Sequence, residues 1–490
     1  MRRLFAIIMF SLFAVTAVSA SAAITFGART QIWPFMFVNG AGEKYGAGYS
    51  DQIKSNVAMG NLDQYAELGA VWNIVDVWQE VDGVDGYRRL EQVVQAHERR
   101  GIAVALRLLE RPELYEDLRG GGAVAERALR EYGEWVKGIA AKFGKRIRYY
   151  MISNEVDHDI GFNRVMYKKF RAIEFDEYLR VLRAGYEAVK SVNPSLKVAD
   201  HGVSSYSLCL AVMSDMAMSG DVDGALRFWQ AMDYGSDEEG ERTSMKLLKM
   251  LVRGGSRHRI EMARRTAVES QHYTDVFQLH HYFGPKVVPE ILRWLRERMA
   301  DGGDVRPIIA AEVGYRMPMK KGKSWDGRPM NVADLDAYSE ASHGNSISKT
   351  IAALAGNGVE DILYWQIRFH NERSPTACLY PAVETRGAFR SSYPAEVFRN
   401  LVRNLSGAVF IGQEGIEGNA AYQEYRFHKD GDFSLIWSEG DAVELPVARR
   451  DRVEAALGVD GSDKDLAAGG WRVGAAPVLV RWRPEKEAAP

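Results

Sequence analysis

The stretch RIRYYMISNEVDHDIG, residues 146–161, decides how this chain is read. Residues 147–152 form a β-rich run with almost no polar interruption, the pattern of a strand buried on both faces. Such a strand ordinarily ends in Gly, Pro or Asn turn chemistry. This one delivers Ser153, Asn154 and Glu155, and then Asp157, His158 and Asp159. A carboxylate placed directly at the end of a buried strand is costly without a task. What the task is depends on what the other strands end in.

Seven further runs read as strands of the same kind: residues 24–28, 71–77, 102–106, 197–200, 276–280, 307–311 and 362–365. Helical patterns lie between them, clearest at 61–70, 87–101, 123–144 and 175–194, several closing on Gly or Asn-Pro. Strand, helix and strand in repetition is the signature of right-handed βαβ units. Eight such units predict a closed (β/α)8 TIM barrel, an α/β fold, rather than an open doubly wound sheet. No GxGxxG follows the first run, which weakens a dinucleotide-binding alternative.

Two places break the rhythm. Residues 203–274 are too long for one connection and read as an inserted helical excursion, with a basic run, RGGSRHRIEMARR, expected to be a solvated helix face. The segment MPMKKGKSWDGRPMN, 317–331, reads as a loop on the active face. From about residue 405 the pattern turns to short strands, with Asp430-Gly431 as a hairpin signal. The expected organisation is a signal peptide at 1–22, a barrel at 23–404 and a small antiparallel β domain at 405–490.

The signal peptide rests on Arg2 and Arg3, an apolar stretch over 4–18 and a small-residue cleavage site at Ala20-Ser21-Ala22. It implies export, to a periplasmic or extracellular space. The 490 residues carry a net charge of −2, which gives no sign of a nucleic-acid or anionic-membrane partner. Two cysteines, Cys209 and Cys378, exclude a disulfide scaffold and a Cys-rich zinc site. Aromatic residues reach 11%, including 11 Trp and 22 Tyr, which suits both large cores and sites that stack sugar rings. Trp33, Trp78 and Trp325 are candidates for such stacking.

In a barrel of this kind the chemistry sits at the C-terminal ends of the strands. The fourth strand ends in Asn154-Glu155, the sixth in His280-His281-Tyr282, the seventh in Glu312, and the eighth carries Trp365. Strands four and seven face each other across the mouth, so Glu155 and Glu312 are expected to point into one space. Two facing carboxylates are what cleavage of a glycosidic bond requires. Asp157, His158 and Asp159 fit no metal-ligand spacing and read as a solvated loop.

These motifs, in this order, resemble glycoside hydrolase clan A, and within it the family-39-like group of β-xylosidases, α-L-iduronidases and exopolysaccharide endoglycosidases. The resemblance spans about residues 24 to 400. It implies a retaining enzyme with a carbohydrate substrate and no cofactor or metal. Glu155 matches the acid/base, Glu312 the nucleophile and Asn154 the residue holding the sugar 2-hydroxyl. Tyr282 matches a hydrogen-bond donor to the nucleophile, His280 a subsite histidine and Trp365 the floor beneath the reacting sugar. One departure stands out: the clan has an Arg late in strand two, where this chain has Ile74 and its neighbours. Arg29 or Arg107 is expected to substitute. The missing Arg also supports a rival, a non-catalytic carbohydrate-binding barrel; a transglycosylase is a second.

Overall fold

The structure is a computed structural model. It describes residues 23–29, 62, 66–79, 84–111, 113–157, 172–232, 251, 254–315, 319–323, 329–333, 338–365, 392–416 and 419–484. Eight parallel strands form the centre: β1 (Thr25–Arg29), β2 (Trp72–Trp78), β3 (Ala103–Leu109), β4 (Ile147–Ile152), β5 (Val198–Ala199), β6 (Phe277–His281), β7 (Ile308–Val313) and β8 (Asp361–Trp365). Their order is β5-β4-β3-β2-β1-β8-β7-β6. Parallel bridges from Ala199 to Val276 and from Val203 to Leu279 join the two ends and close the ring.

The unbroken apolar runs follow from this closure. Alternate residues fill the barrel interior: Trp72 and Ile74, Ala105, Tyr149 and Met151, Ile309 and Ala311, and Leu363 form one buried cluster. The residues between them, such as Val75, Leu106, Tyr150 and Ile152, pack outward against the helices. At the N-terminal end of the barrel Asp361 ties three strands together. It accepts from Arg148 at 2.7 and 2.9 Å, from the Tyr149 hydroxyl at 2.5 Å and from Thr25.

The helices that matter below are α1 (Val84–Glu98), α2 (Gly122–Phe143), α3 (Phe175–Val192), α4 (Ser205–Met218), α5 (Gly254–Glu269), α6 (Val288–Gly302), α7 (Glu340–Gly356) and α8 (Tyr393–Leu405). Helix α3 opens with a capping box between Glu174 and Glu177, and α8 with Ser392 accepting from the Ala395 amide. Among the described residues no helix is long and apolar enough to cross a membrane.

Three local expectations are revised. The basic run is helical but not a solvated face: Arg259 is buried over the Tyr206 ring at 5.4 Å, Arg264 bonds Asp215, and Arg265 reaches Asp176 at 2.7 Å. Guanidinium groups on long apolar stems can bury against neighbouring helices and still find carboxylates, which a count of charges does not show. Helix α4, inside the expected excursion, is buried almost all round, with Leu208 through Val212 shielded, so it belongs to the barrel's helical layer. The 317–331 segment is not a plain loop: Met319–Lys323 and Pro329–Ala333 pair as an antiparallel hairpin.

Beyond α8 the chain forms a five-stranded antiparallel sheet: β9 (Val409–Ile416), β10 (Asn419–His428), β11 (Asp432–Ser438), β12 (Val453–Gly458) and β13 (Val478–Trp482), in the order β9-β10-β11-β13-β12. Asp430 and Gly431, both at positive φ, make the hairpin turn between β10 and β11. Tyr425 stacks on Trp437 at 5.5 Å, and both share one apolar cluster with Ile351, Ala355 and Phe398 of the barrel's helices. Cys209 is buried, which pushes its thiol pKa well up. Cys378 lies outside the described residues.

Candidate active site

The alternation that fills the barrel also selects which side chains reach its mouth. Counting by two from Trp72 and Ile74 brings Asp76 to the inner face of β2. The same count from Ala103 and Ala105 brings Arg107 inward on β3. Asp76 and Arg107 are direct register partners. On β7 the register steps over Ala311, so that Leu279 pairs with Ala310 and His280 with Glu312. That irregularity places Glu312 opposite His280, the re-aiming typical of bulges beside functional sites.

At the end of β4 the backbone is strained. Ser153 and Glu155 take φ of 69° and 44°, a region that costs a non-glycine residue about 1–3 kcal/mol. Neighbouring strands hold them there: the Ser153 amide donates to Leu108 O at 3.0 Å, and the Glu155 amide to His201 O at 2.8 Å. The Ser153 hydroxyl donates to Glu110 at 2.7 Å; burial pushes the Glu110 carboxyl pKa up.

Glu155, His280 and Glu312 converge, each offering an oxygen or nitrogen within 4.8 Å of the others. Glu312 is nearly buried, with Oε1 accepting from Arg107 Nη2 at 2.6 Å and Oε2 from the Tyr282 hydroxyl at 2.5 Å. Glu155 Oε1 meets His280 Nδ1 at 2.7 Å, and the same nitrogen stands 3.5 Å from Glu312. Arg107 is fully enclosed. Burial alone would loosen its proton, but Glu312 and then Asp76 more than offset that and raise its pKa. Two carboxylates and an imidazole also make a donor set for a divalent ion. Arg107 opposes that use, since a second cation would compete with the guanidinium for Glu312.

The six predicted residues thus fall in different roles. Glu155, Glu312, Tyr282 and His280 come together directly. Asn154 is half-buried beside Glu155, and Trp365, partly buried, ends β8 in register with Arg29. His280 is fully buried, with Nδ1 2.7 Å from Glu155 and 3.5 Å from Glu312. His281 is structural: buried, near Gly284 O at 3.4 Å, its pKa pushed down to about 4 by burial. Asp157 corrects the reading of a solvated loop. It is fully buried, accepting from the Ser204 hydroxyl at 2.5 Å and amide at 3.1 Å. Its neighbour His201, 3.7 Å away, has its pKa pushed down to about 4 by burial. The last two residues of that trio, His158 and Asp159, and likewise Trp33 and Trp325, lie outside the described residues. Trp78 closes β2 on the same face as Asp76.

Of the two arginines expected to stand in for the strand-two Arg, Arg107, one strand over, bonds Glu312. Asp76 and Gly202 were not foreseen. Asp76 was legible from the period-two count; Gly202 was not, because its role is steric. Gly202 holds φ +71°, and a Cβ there would come 2.2 Å from His280 Nε2. The His280 ring can lie beneath the carboxylates only because this position has no side chain. Gly202→Ala is expected to cost about 2–5 kcal/mol and to displace His280. Gly101→Ala, at φ +69° with nothing within 4 Å, is the control that carries only the backbone strain. Equal urea midpoints for the two variants would refute the seating role.

A closed (β/α)8 barrel with paired glutamates at its C-terminal mouth is the class these observations define. The family 39 glycoside hydrolase from the gut symbiont Bacteroides cellulosilyticus WH2 has this fold. It aligns at TM-score 0.58 and 11% identity over 95% of this chain and 82% of that one. The family 1 β-glucosidase from Thermotoga maritima aligns at TM-score 0.47 and 14% identity, over 78% of this chain and 98% of that one. At 11% identity the first of these likenesses is one of fold. No protein-family model matches the sequence, and no curated protein matches it.

Proposed function

We propose that the chain is a retaining glycoside hydrolase that cleaves a poly- or oligosaccharide by double displacement. The observation that carries this is the convergence of Glu155 and Glu312 within 4.8 Å across the barrel mouth. Retaining enzymes hold their carboxyl groups about 5–5.5 Å apart, and inverting ones about 6.5–9.5 Å, to admit a water.

The surroundings divide the roles. Glu312 has a cation on one oxygen and a hydroxyl donor on the other, partners that favour the charged form a nucleophile needs. Glu155, whose Oε1 faces the ring of His280, is then the proton donor. Glu312 attacks C1 as the C1–O bond to the leaving group breaks and Glu155 gives that oxygen its proton. Water then attacks C1 of the glycosyl ester, losing its proton to Glu155, and Glu312 departs. Asn154 is placed to hold the 2-hydroxyl and Trp365 to lie under the ring, and the chemistry requires no cofactor. Residues 1–22 act as a signal peptide, so the substrate is met outside the cytoplasm.

The test is incubation of residues 23–490 with a panel of aryl glycosides and bacterial polysaccharides, with product sizing and NMR of the first-formed anomer. Release of sugar with retained configuration is expected. An inverted anomer would refute the mechanism, and glycan binding without release would favour a carbohydrate-binding barrel. Products carrying an added acceptor sugar would point to a transglycosylase. Arg107 supports the hydrolase over the binding barrel, because it supplies the cation whose apparent loss had argued for the latter.

A further inference from the structure

Arg107 bonds Glu312 and has a second carboxylate beside it. Its Nη2 meets Glu312 at 2.6 Å, while its Nε lies 3.7 Å from Asp76 Oδ1. Asp76 and Arg107 are register partners on β2 and β3, so the two side chains leave adjacent strands on the same inner face. The Arg107 side chain is 3% exposed and that of Asp76 16%. A cation held so deep is costly without a counter-charge.

We propose that Asp76 is a positioning residue that keeps Arg107 compensated while Glu312 is covalently occupied. The inference rests on the double displacement proposed above. In the first step an oxygen of Glu312 bonds C1, the C1–O bond breaks, and the leaving oxygen takes the Glu155 proton. The negative charge vanishes from Glu312 and reappears on Glu155, against His280. Arg107 thereby loses the anion on its Nη2. Asp76 remains beside Nε and acts on Arg107 more strongly than Glu155 does, so it is the main counter-charge of the buried guanidinium in the glycosyl-enzyme. In the resting state the same residue shares Arg107 between two acids. That moderates its grip on Glu312 and leaves the attacking oxygen more nucleophilic. Both effects lower the barrier to forming the ester and neither assists its hydrolysis.

Asp76→Asn separates the two steps. With an aryl glycoside whose leaving group makes deglycosylation limiting, kcat/KM is expected to fall on the order of tenfold. The fall in kcat is smaller, and the pre-steady-state burst shrinks. Equal falls in kcat and kcat/KM would mean a merely structural residue and would overturn the proposal. A second measurement does not need turnover. Glu312→Gln is neutral, as the ester is. Asp76→Asn should therefore lower the melting temperature more in a Glu312→Gln background than in the wild type. Additive losses would overturn the claim even if the enzyme proves to be a glycosidase. Synergy would sustain the charge compensation even if the substrate panel fails.

Discussion

Glu312→Gln is expected to retain its fold and bind glycan while turning over on the order of 10⁴- to 10⁶-fold more slowly. The amide matches the carboxylate in shape, keeps an acceptor for the Tyr282 hydroxyl, and leaves Arg107 its Asp76 neighbour. It cannot supply the charge that attacks C1. Glu155→Ala should behave differently. It loses the proton donor, so substrates with poor leaving groups suffer most. Azide, a small anion that needs no general base, should restore turnover of activated substrates and give a glycosyl azide of retained configuration. A retained glycosyl azide from a Glu312 variant, with an inverted one from a Glu155 variant, would exchange the two assignments. Calorimetric titration of the variant with a substrate found by the panel completes the test. Full activity in Glu312→Gln would end the catalytic reading of this pair.

The second large effect is on stability. Arg107→Met removes the cation that Glu312 and Asp76 surround, leaving two acids facing each other in a nearly closed space. Breaking a buried ion pair from one side costs about 3–5 kcal/mol, because the abandoned charge stays out of water without its counter-ion. A shift of that size in the urea unfolding midpoint at neutral pH is expected. It should shrink as the pH is lowered and the two carboxylates take up protons. Arg107→Lys keeps the charge but not the fork that reaches Glu312 from Nη2 while Nε faces Asp76. It should recover most of the stability and much less of the activity. A midpoint for Arg107→Met within experimental error of the wild type would show that the guanidinium is not the partner these distances describe.

Much of this arrangement could be read from the chain because of the barrel's own geometry. A strand buried on both faces must be apolar throughout, so an acid, a histidine or an amide at its end stands out. That is how Glu155, His280 and Glu312 stand out, and why the eight runs lie within three residues of β1 to β8 at either end. Where the reading failed, the cause lay in partners distant along the chain. Asp157 looks solvated beside His158 and Asp159 but is enclosed by Ser204 and His201 from the far side of α3. The arginines of α5 look like a wet surface until Asp176 and Asp215 are brought to them. The contact of His280 Nδ1 with Glu155 is likewise invisible in the sequence around either residue, because they stand 125 positions apart. Nor could the chain show that Arg107 would bond Glu312, 205 positions away.

The trailing sheet carries a consequence for how this molecule can be inherited. The Tyr425 ring lies where α7 has Gly356, so close that a Cβ there would come 2.3 Å from its Cδ1. Ile24 bonds Ala408 and Gly407 through its backbone, linking the start of the first strand to the threshold of the sheet. A seam with shared aromatic packing and a backbone tie at the chain's opposite ends is a poor place for recombination to cut. Descendants of this chain would carry both parts or neither, and variation at the mouth would have to arise in the connections around it.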